Sequence, residues 1–287
     1  MMEKEIKRRP SLSEPRVKPF QFSEMDEETQ NLHFSLGAEL LKQHFGVSAP
    51  VDFYKIDVSQ LEDEKLEILL GMNLNVGKTV EKYIDLIPGV LPYFQREPFI
   101  PSIPPREREL AIIRTGWLCQ AEYECIHHIG AGLVLGLITT EEIIRIFKGP
   151  KAPGWNAFDS AILRATDELH NDFFISDATW EVLSEQYDEH QRLEFILLVG
   201  QYTQIAMFLN SAGVQVAFKH SGFGELSEKI NRDKRAQASY AVDKEIAMIY
   251  RERITSDEFE NTKSMLDRLL LKEEFEINLK MLGLSKA

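Results

Sequence analysis

From Pro105 to Gly213 apolar residues recur at the three- and four-residue intervals of an α-helix, and no sustained two-residue alternation interrupts them. A chain with that period can bury its apolar stripes only by packing helix on helix. Ala157 to Phe173, Asp177 to Tyr187 and Glu189 to Gly213 read as three strong helices, the second begun by Ser176-Asp177. Thr139-Thr140-Glu141-Glu142 is an N-terminal cap signal for Ile143 to Phe147, and Gly149 to Gly154 reads as a turn. Pro101 to Pro105 is a connector, and Pro104-Pro105 suits the first turn of a helix, where a missing N–H does no harm. No hairpin signal and no internal repeat are evident, so the expected fold class is all-α.

The flanks are less regular. Residues 1–22 mix Lys, Arg, Glu, Ser and proline without an apolar period, which predicts a disordered or extended tail. From Ser23 the positions of Phe34, Leu36, Leu40, Leu41 and Phe45 suggest a helix stopped by Gly46. Val51 to Ile56 suggests a short extended link, and Leu61 to Leu70 and Val80 to Leu86 two more helices. Beyond Gly222, Ile246, Ile249, Tyr250, Ile254, Met265, Leu269 and Leu270 mark two or three amphipathic helices. The expected organisation is therefore a tail (1–22), an N-terminal helical extension (23–79), a main domain (80–220) and a C-terminal helical extension (221–287).

Charge limits the partners. A formal net charge of -13 opposes nucleic acid and anionic membrane, since a phosphate-binding face needs clustered Lys and Arg. The longest apolar runs, Phe195 to Gly200 and Gly130 to Ile138, fall short of the ~20 residues of a membrane span. A charged N-terminus and only two cysteines, Cys119 and Cys125, point to a reducing, cytoplasmic compartment. Ser285-Lys286-Ala287 resembles a peroxisomal address but lacks its final Leu. Gly77-Lys78-Thr79 imitates a phosphate-binding loop. The spacing fails, because the first glycine of that motif would fall on Met72.

The chemistry concentrates between Glu109 and His128. Glu124 and His128 stand four apart, one turn of a helix, where a carboxylate meets an imidazole and raises its pKa. Partial burial would raise the carboxyl pKa too, so both groups are expected to titrate near neutrality. Glu109 faces roughly the same side, but fifteen residues of straight helix would set it about 22 Å from Glu124. The two share a site only if the helix breaks, and Gly116 to Gln120 is the expected place. A Glu/His pair at this spacing is commonly a surface ion pair. The neighbours Ala111, Ile112, Ile113, Trp117 and Leu118 are too apolar for a solvated face, which favours a buried cleft.

The run Pro105-Arg106-Glu107-Arg108-Glu109-Leu110-Ala111-Ile112-Ile113-Arg114, with Ala121-Glu122-Tyr123-Glu124, His127-His128, Ala131-Gly132 and Gly136-Leu137-Ile138-Thr139, resembles the carboxymuconolactone decarboxylase family, which includes the AhpD-like alkylhydroperoxidases. It extends through Asp159 to Ala165, Asp167 to His170, Ser176 to Trp180 and Gly200-Gln201-Tyr202, covering roughly Val80 to Val216. The resemblance implies an AhpD-like helical bundle assembled into homo-oligomers, trimers or hexamers, with the site near subunit contacts and no metal or organic cofactor. In the redox branch a Glu, a Cys-x-x-Cys pair and a His form the centre. Those places hold Glu109, Ala121 with Glu124, and His128 here, so both redox thiols are absent and alkylhydroperoxidase activity is not expected.

What remains implies acid–base chemistry on a small organic acid or lactone by a decarboxylase or related lyase or isomerase. His128 is the expected proton donor, Glu124 its partner and Glu109 the group that holds the pair. His127 is a candidate for binding a substrate carboxylate, and Arg114, Trp117 and Tyr202 are candidates for the pocket wall. Cys119 and Cys125 read as core thiols, and His170 as a possible cap of its helix. Two other readings stay open: a non-catalytic oligomeric scaffold in which the Glu/His set is a buried polar network, and a thiol peroxidase with a non-standard cysteine arrangement.

Overall fold

The computed structural model describes residues 12–21, 24–28, 30–31, 42, 45–46, 55–62, 65–66, 75–80, 82–83, 86, 102–216 and 225–256. Among these residues regular structure is helical throughout, with nine α-helices, one 3-10 turn at Val58–Gln60 and no strand. The helices are α1 Asn75–Val80, α2 Pro105–Leu118, α3 Glu122–Val134, α4 Thr140–Lys148, α5 Ala157–Asp172, α6 Asp177–Ser184, α7 Glu189–Ala212, α8 Glu225–Arg232 and α9 Lys234–Ser256. They fall into two compact units. One contains α2 to α7 and the part of α9 from Glu245 onward, the other α1, α8 and α9 up to Lys244.

In the first unit α2 is the central element, packed against α3, α4, α5 and α7. Every residue from Glu109 to Gly116 is buried, which is why its sequence is apolar on nearly all sides. Ile126 and Ile129 of α3, Ile143 and Ile146 of α4, Ile162 and Leu163 of α5, and Phe195 and Leu198 of α7 complete the core. Local signals set the ends. Thr139 forms the expected capping box with Glu142 ahead of α4, and Asp188 forms another with Gln191 ahead of α7. Gly213 takes the left-handed conformation that closes α7. Ser176 precedes α6 but makes no side-chain cap; its hydroxyl donates to Glu168 and its backbone N–H does the same. Helix α6 also stops at Ser184, short of the expected Tyr187, whose phenol instead donates to Glu107 at 2.6 Å.

The second unit has a smaller core of Val58, Leu66, Leu226, Ile230 and Ala236, with Phe45, Ile56, Leu61 and Tyr240 packed around it. Arg235 ties it together by donating to the carbonyls of Leu61 and Val58 at 2.7 and 2.9 Å. Helix α1 ends at Val80, where the sequence suggested a helix beginning; residues 82 and 83 are turn. Lys78 is buried within α1, which is incompatible with a phosphate loop at Gly77-Lys78-Thr79. Phe20, inside the stretch expected to be a tail, is buried, and its N–H donates to the carbonyl of Lys78. Most of the helix expected from Ser23 to Phe45, most of Val51 to Ile56 and everything after Ser256 lie outside the described residues. One described helix, α7, is long and apolar enough to cross a membrane by length and composition; here it packs against α2, α5 and α6.

Candidate functional site

The break between α2 and α3 builds the site. Helix α2 ends at Leu118, Cys119 caps it, and Gln120 adopts a left-handed φ of 52° that turns the chain. Ala121 donates to Gly116 O at 2.8 Å, and Asn210 of α7 pins the turn by donating to Cys119 O at 2.9 Å. Helix α3 then returns along α2. The approach is close at Gly116, where a Cβ would meet Cys125 Sγ at 3.1 Å and Glu124 Cβ at 3.3 Å. The break expected between Gly116 and Gln120 thus sits at its C-terminal edge.

This reversal brings Glu109 from the middle of α2 against His128 on α3. His128 Nδ1 lies 2.9 Å from Glu109 Oε2, and its Nε2 lies 3.4 Å from Glu124 Oε2. Both carboxylates are buried and the imidazole is 21% exposed, so the ring offers an edge to solvent while its partners do not. Desolvation pulls the His128 pKa down, but the charge and hydrogen bond of Glu109 and the hydrogen bond and charge of Glu124 outweigh it and push it up to about 10. His128 is therefore an imidazolium at neutral pH, well beyond the near-neutral titration expected from sequence.

Tyr202 of α7 completes the group, its ring edge-on to His128 at a centroid distance of 5.1 Å. Burial first, then the charges of Glu124 and Glu109, raise its pKa well above the ordinary value against a lowering by Arg108, so the phenol keeps its proton. The hydroxyl makes no hydrogen bond to a described residue.

Three other candidate residues make contacts outside the Glu109–His128–Glu124 group. Arg114 forks onto Asp167 at 2.6 and 2.9 Å and donates to the carbonyls of Ile146 and Phe147, tying α2 to α4 and α5. Trp117 stacks on Phe147 at 4.2 Å and meets the ring of Tyr250 edge-on. His127 packs against Tyr123, and burial followed by the charge of His128 lowers its pKa to about 4, leaving a neutral ring that is a poor anchor for a carboxylate.

Neither cysteine forms a disulfide. Cys125 is completely buried, and desolvation raises its thiol pKa far above the ordinary value, as a packing thiol requires. Cys119 departs from the expectation of a core thiol: it is partly exposed, with Sγ 3.6 Å from Nδ1 of His170 in the last turn of α5. Sequence reading also missed the fork of Arg106 on Asp159, with Glu142 as a further partner, because its members come from three helices. Among the described residues no group of three or more His, Cys, Asp and Glu is arranged to hold a metal ion. An open cavity of about 590 Å³ in the second unit, lined in part by Glu228, Arg232, Tyr240 and Lys244, contains none of the candidate residues. No family model matches the chain, and no curated protein or solved structure matches it either.

Proposed function

We propose that this chain is a cofactor-independent acid–base enzyme of the carboxymuconolactone decarboxylase type, acting on a small organic acid or lactone as a decarboxylase or related lyase or isomerase. The observation that carries the reading is one imidazolium held between two buried carboxylates from two different helices, with a protonated phenol beside it. A surface ion pair needs neither the second carboxylate nor the burial.

The distances assign roles. Glu109, at 2.9 Å from Nδ1, fixes the ring; the longer 3.4 Å contact of Nε2 to Glu124 is the one a substrate displaces. Loss of CO2, or proton removal beside a carbonyl, leaves a carbanion far more basic than imidazole. His128 Nε2–H protonates it, the partly exposed ring recovers its proton from solvent, and the Glu124 carboxylate stabilises the imidazolium that re-forms. The Tyr202 hydroxyl donates to the oxygen that gathers the enolate charge. With two carboxylates around one imidazolium the group is net negative, so a neutral lactone carbonyl is better tolerated beside His128 than a second carboxylate.

Self-assembly belongs to the same reading. Leu193, Leu197 and Met207 are exposed on one stripe of α7, an apolar face suited to another copy of the chain. A second reading, a non-catalytic scaffold, is favoured by the same Glu–His–Glu group being satisfied internally. Turnover of a panel of unsaturated lactone acids, read as CO2 release and as solvent-deuterium incorporation, separates the two. His128→Asn and Glu124→Gln should each lower turnover at least about a hundredfold. Rates untouched by both replacements would leave the scaffold.

A further inference from the structure

A second pair of reactive side chains lies outside the Glu109–His128–Glu124 group. Cys119 Sγ and His170 Nδ1 are 3.6 Å apart, contributed by the end of α2 and the last turn of α5, fifty-one residues apart in sequence. Both side chains are partly exposed, unlike Cys125. The other charged groups acting on His170 are Asp167 and Arg114, which are already forked onto one another. Burial, the largest influence on His170, favours its neutral ring, and a neutral ring presents Nδ1 as an acceptor when Nε2 carries the proton. Nε2 makes no hydrogen bond to a described residue. Cys119 follows the C-terminal end of α2 and precedes the N-terminal end of α3, so helix dipoles of opposite sign fall on the thiol and largely cancel. His170, at 3.6 Å, is a base in position to activate it.

We propose that Cys119 and His170 form a second reactive centre, a nucleophilic thiol with its own base, which adds to small activated alkenes of the α,β-unsaturated carbonyl class. His170 Nδ1 takes the Sγ proton, and the thiolate forms a bond to the β-carbon. The π pair of the alkene shifts onto the α-carbon and its carbonyl, and the imidazolium returns the same proton to the α-carbon. The addition is redox-neutral and balances with no co-reactant. A peroxide reaction would need a resolving thiol, and Cys125 is buried with its Sγ toward the Ile113 carbonyl. The centre shares no residue with the proposed His128 site, so either can fail without the other.

The test uses N-ethylmaleimide on the full chain across a pH series, with each cysteine quantified by peptide mass spectrometry. Cys119 should be labelled with a midpoint at least one pH unit below the about 8.5 of an ordinary thiol, while Cys125 stays unlabelled. His170→Asn should slow Cys119 about tenfold at neutral pH and return its midpoint to about 8.5, and continued protection of Cys125 certifies that the variant is folded. An ordinary midpoint in the unaltered chain, an unreactive Cys119, or a folded His170→Asn chain that reacts at the original rate would each overturn the proposal. Should that variant not fold, the midpoint of the unaltered chain decides alone.

Discussion

Glu109 and His128 are nineteen residues apart in the chain and 2.9 Å apart in the fold, joined across the turn at Gln120. The contact makes His128 a permanent cation near neutrality and sets which of its nitrogens is left to act.

Glu109→Gln removes the larger of the two carboxylate contributions at His128 while keeping the shape of the side chain. The His128 pKa should fall from about 10 by one unit or more, visible by NMR titration of the ring. Glu124→Gln should lower it less. Equal shifts in the two variants would contradict the assignment of Glu109 as the anchoring partner.

Stability should peak near pH 6.5 as far as these two histidines govern it. The folded pKa of His128, about 10, lies above the unfolded 6.5, so its contribution is complete below 6.5 and disappears as pH rises through about 10. His127 runs the other way: its folded pKa of about 4 lies below 6.5, so its contribution is complete above 6.5 and disappears as pH falls toward 4. Urea denaturation across the range should show His128→Asn flattening the alkaline limb and His127→Asn the acid limb.

Arg114→Ala should destabilise the first unit by about 3–5 kcal/mol, since it strands Asp167 and frees the carbonyls of Ile146 and Phe147 at the end of α4. Arg114→Lys should recover only part of the loss, because an ammonium cannot reproduce the fork. Thermal and urea unfolding measure both. A loss of turnover at unchanged stability would instead return Arg114 to the pocket.

Gly116→Ala tests the approach of α3 to α2. Its new methyl meets Cys125 Sγ and Glu124 Cβ at 3.1 and 3.3 Å, so relief should shift Glu124 relative to His128 and change turnover more than stability. Gly132→Ala is the control. Its methyl would lie 2.6 Å from the end of the Ile138 side chain and meets neither Glu124 nor Glu109, so its cost, about 1–3 kcal/mol, should appear in unfolding.

Helical period, Pro104-Pro105, the Thr139 box and Gly213 are local signals, readable because each acts within a turn or two of itself. They determined that the chain is helical where it is described, and where α2, α4, α5 and α7 start. Helical spacing also paired Glu124 with His128, and the family resemblance added Glu109 to that group. The pairing of Glu124 with His128 followed from spacing on one helix, whereas the pairing with Glu109 required a break whose position spacing could only bracket.

Tertiary structure decided the rest. Arg114, Trp117 and His127 look in sequence like neighbours of the site, but each faces a different partner: Arg114 meets α4 and α5, Trp117 meets Phe147 and Tyr250, and His127 meets Tyr123. Cys119 and His170, and the orientation of Tyr202 over His128, depend on which faces of α2, α3, α5 and α7 meet. Local sequence fixes the conformation of each helix. Which side chains then touch across helices depends on the summed packing of apolar surfaces distant in the chain, to which no short stretch of residues contributes more than a part.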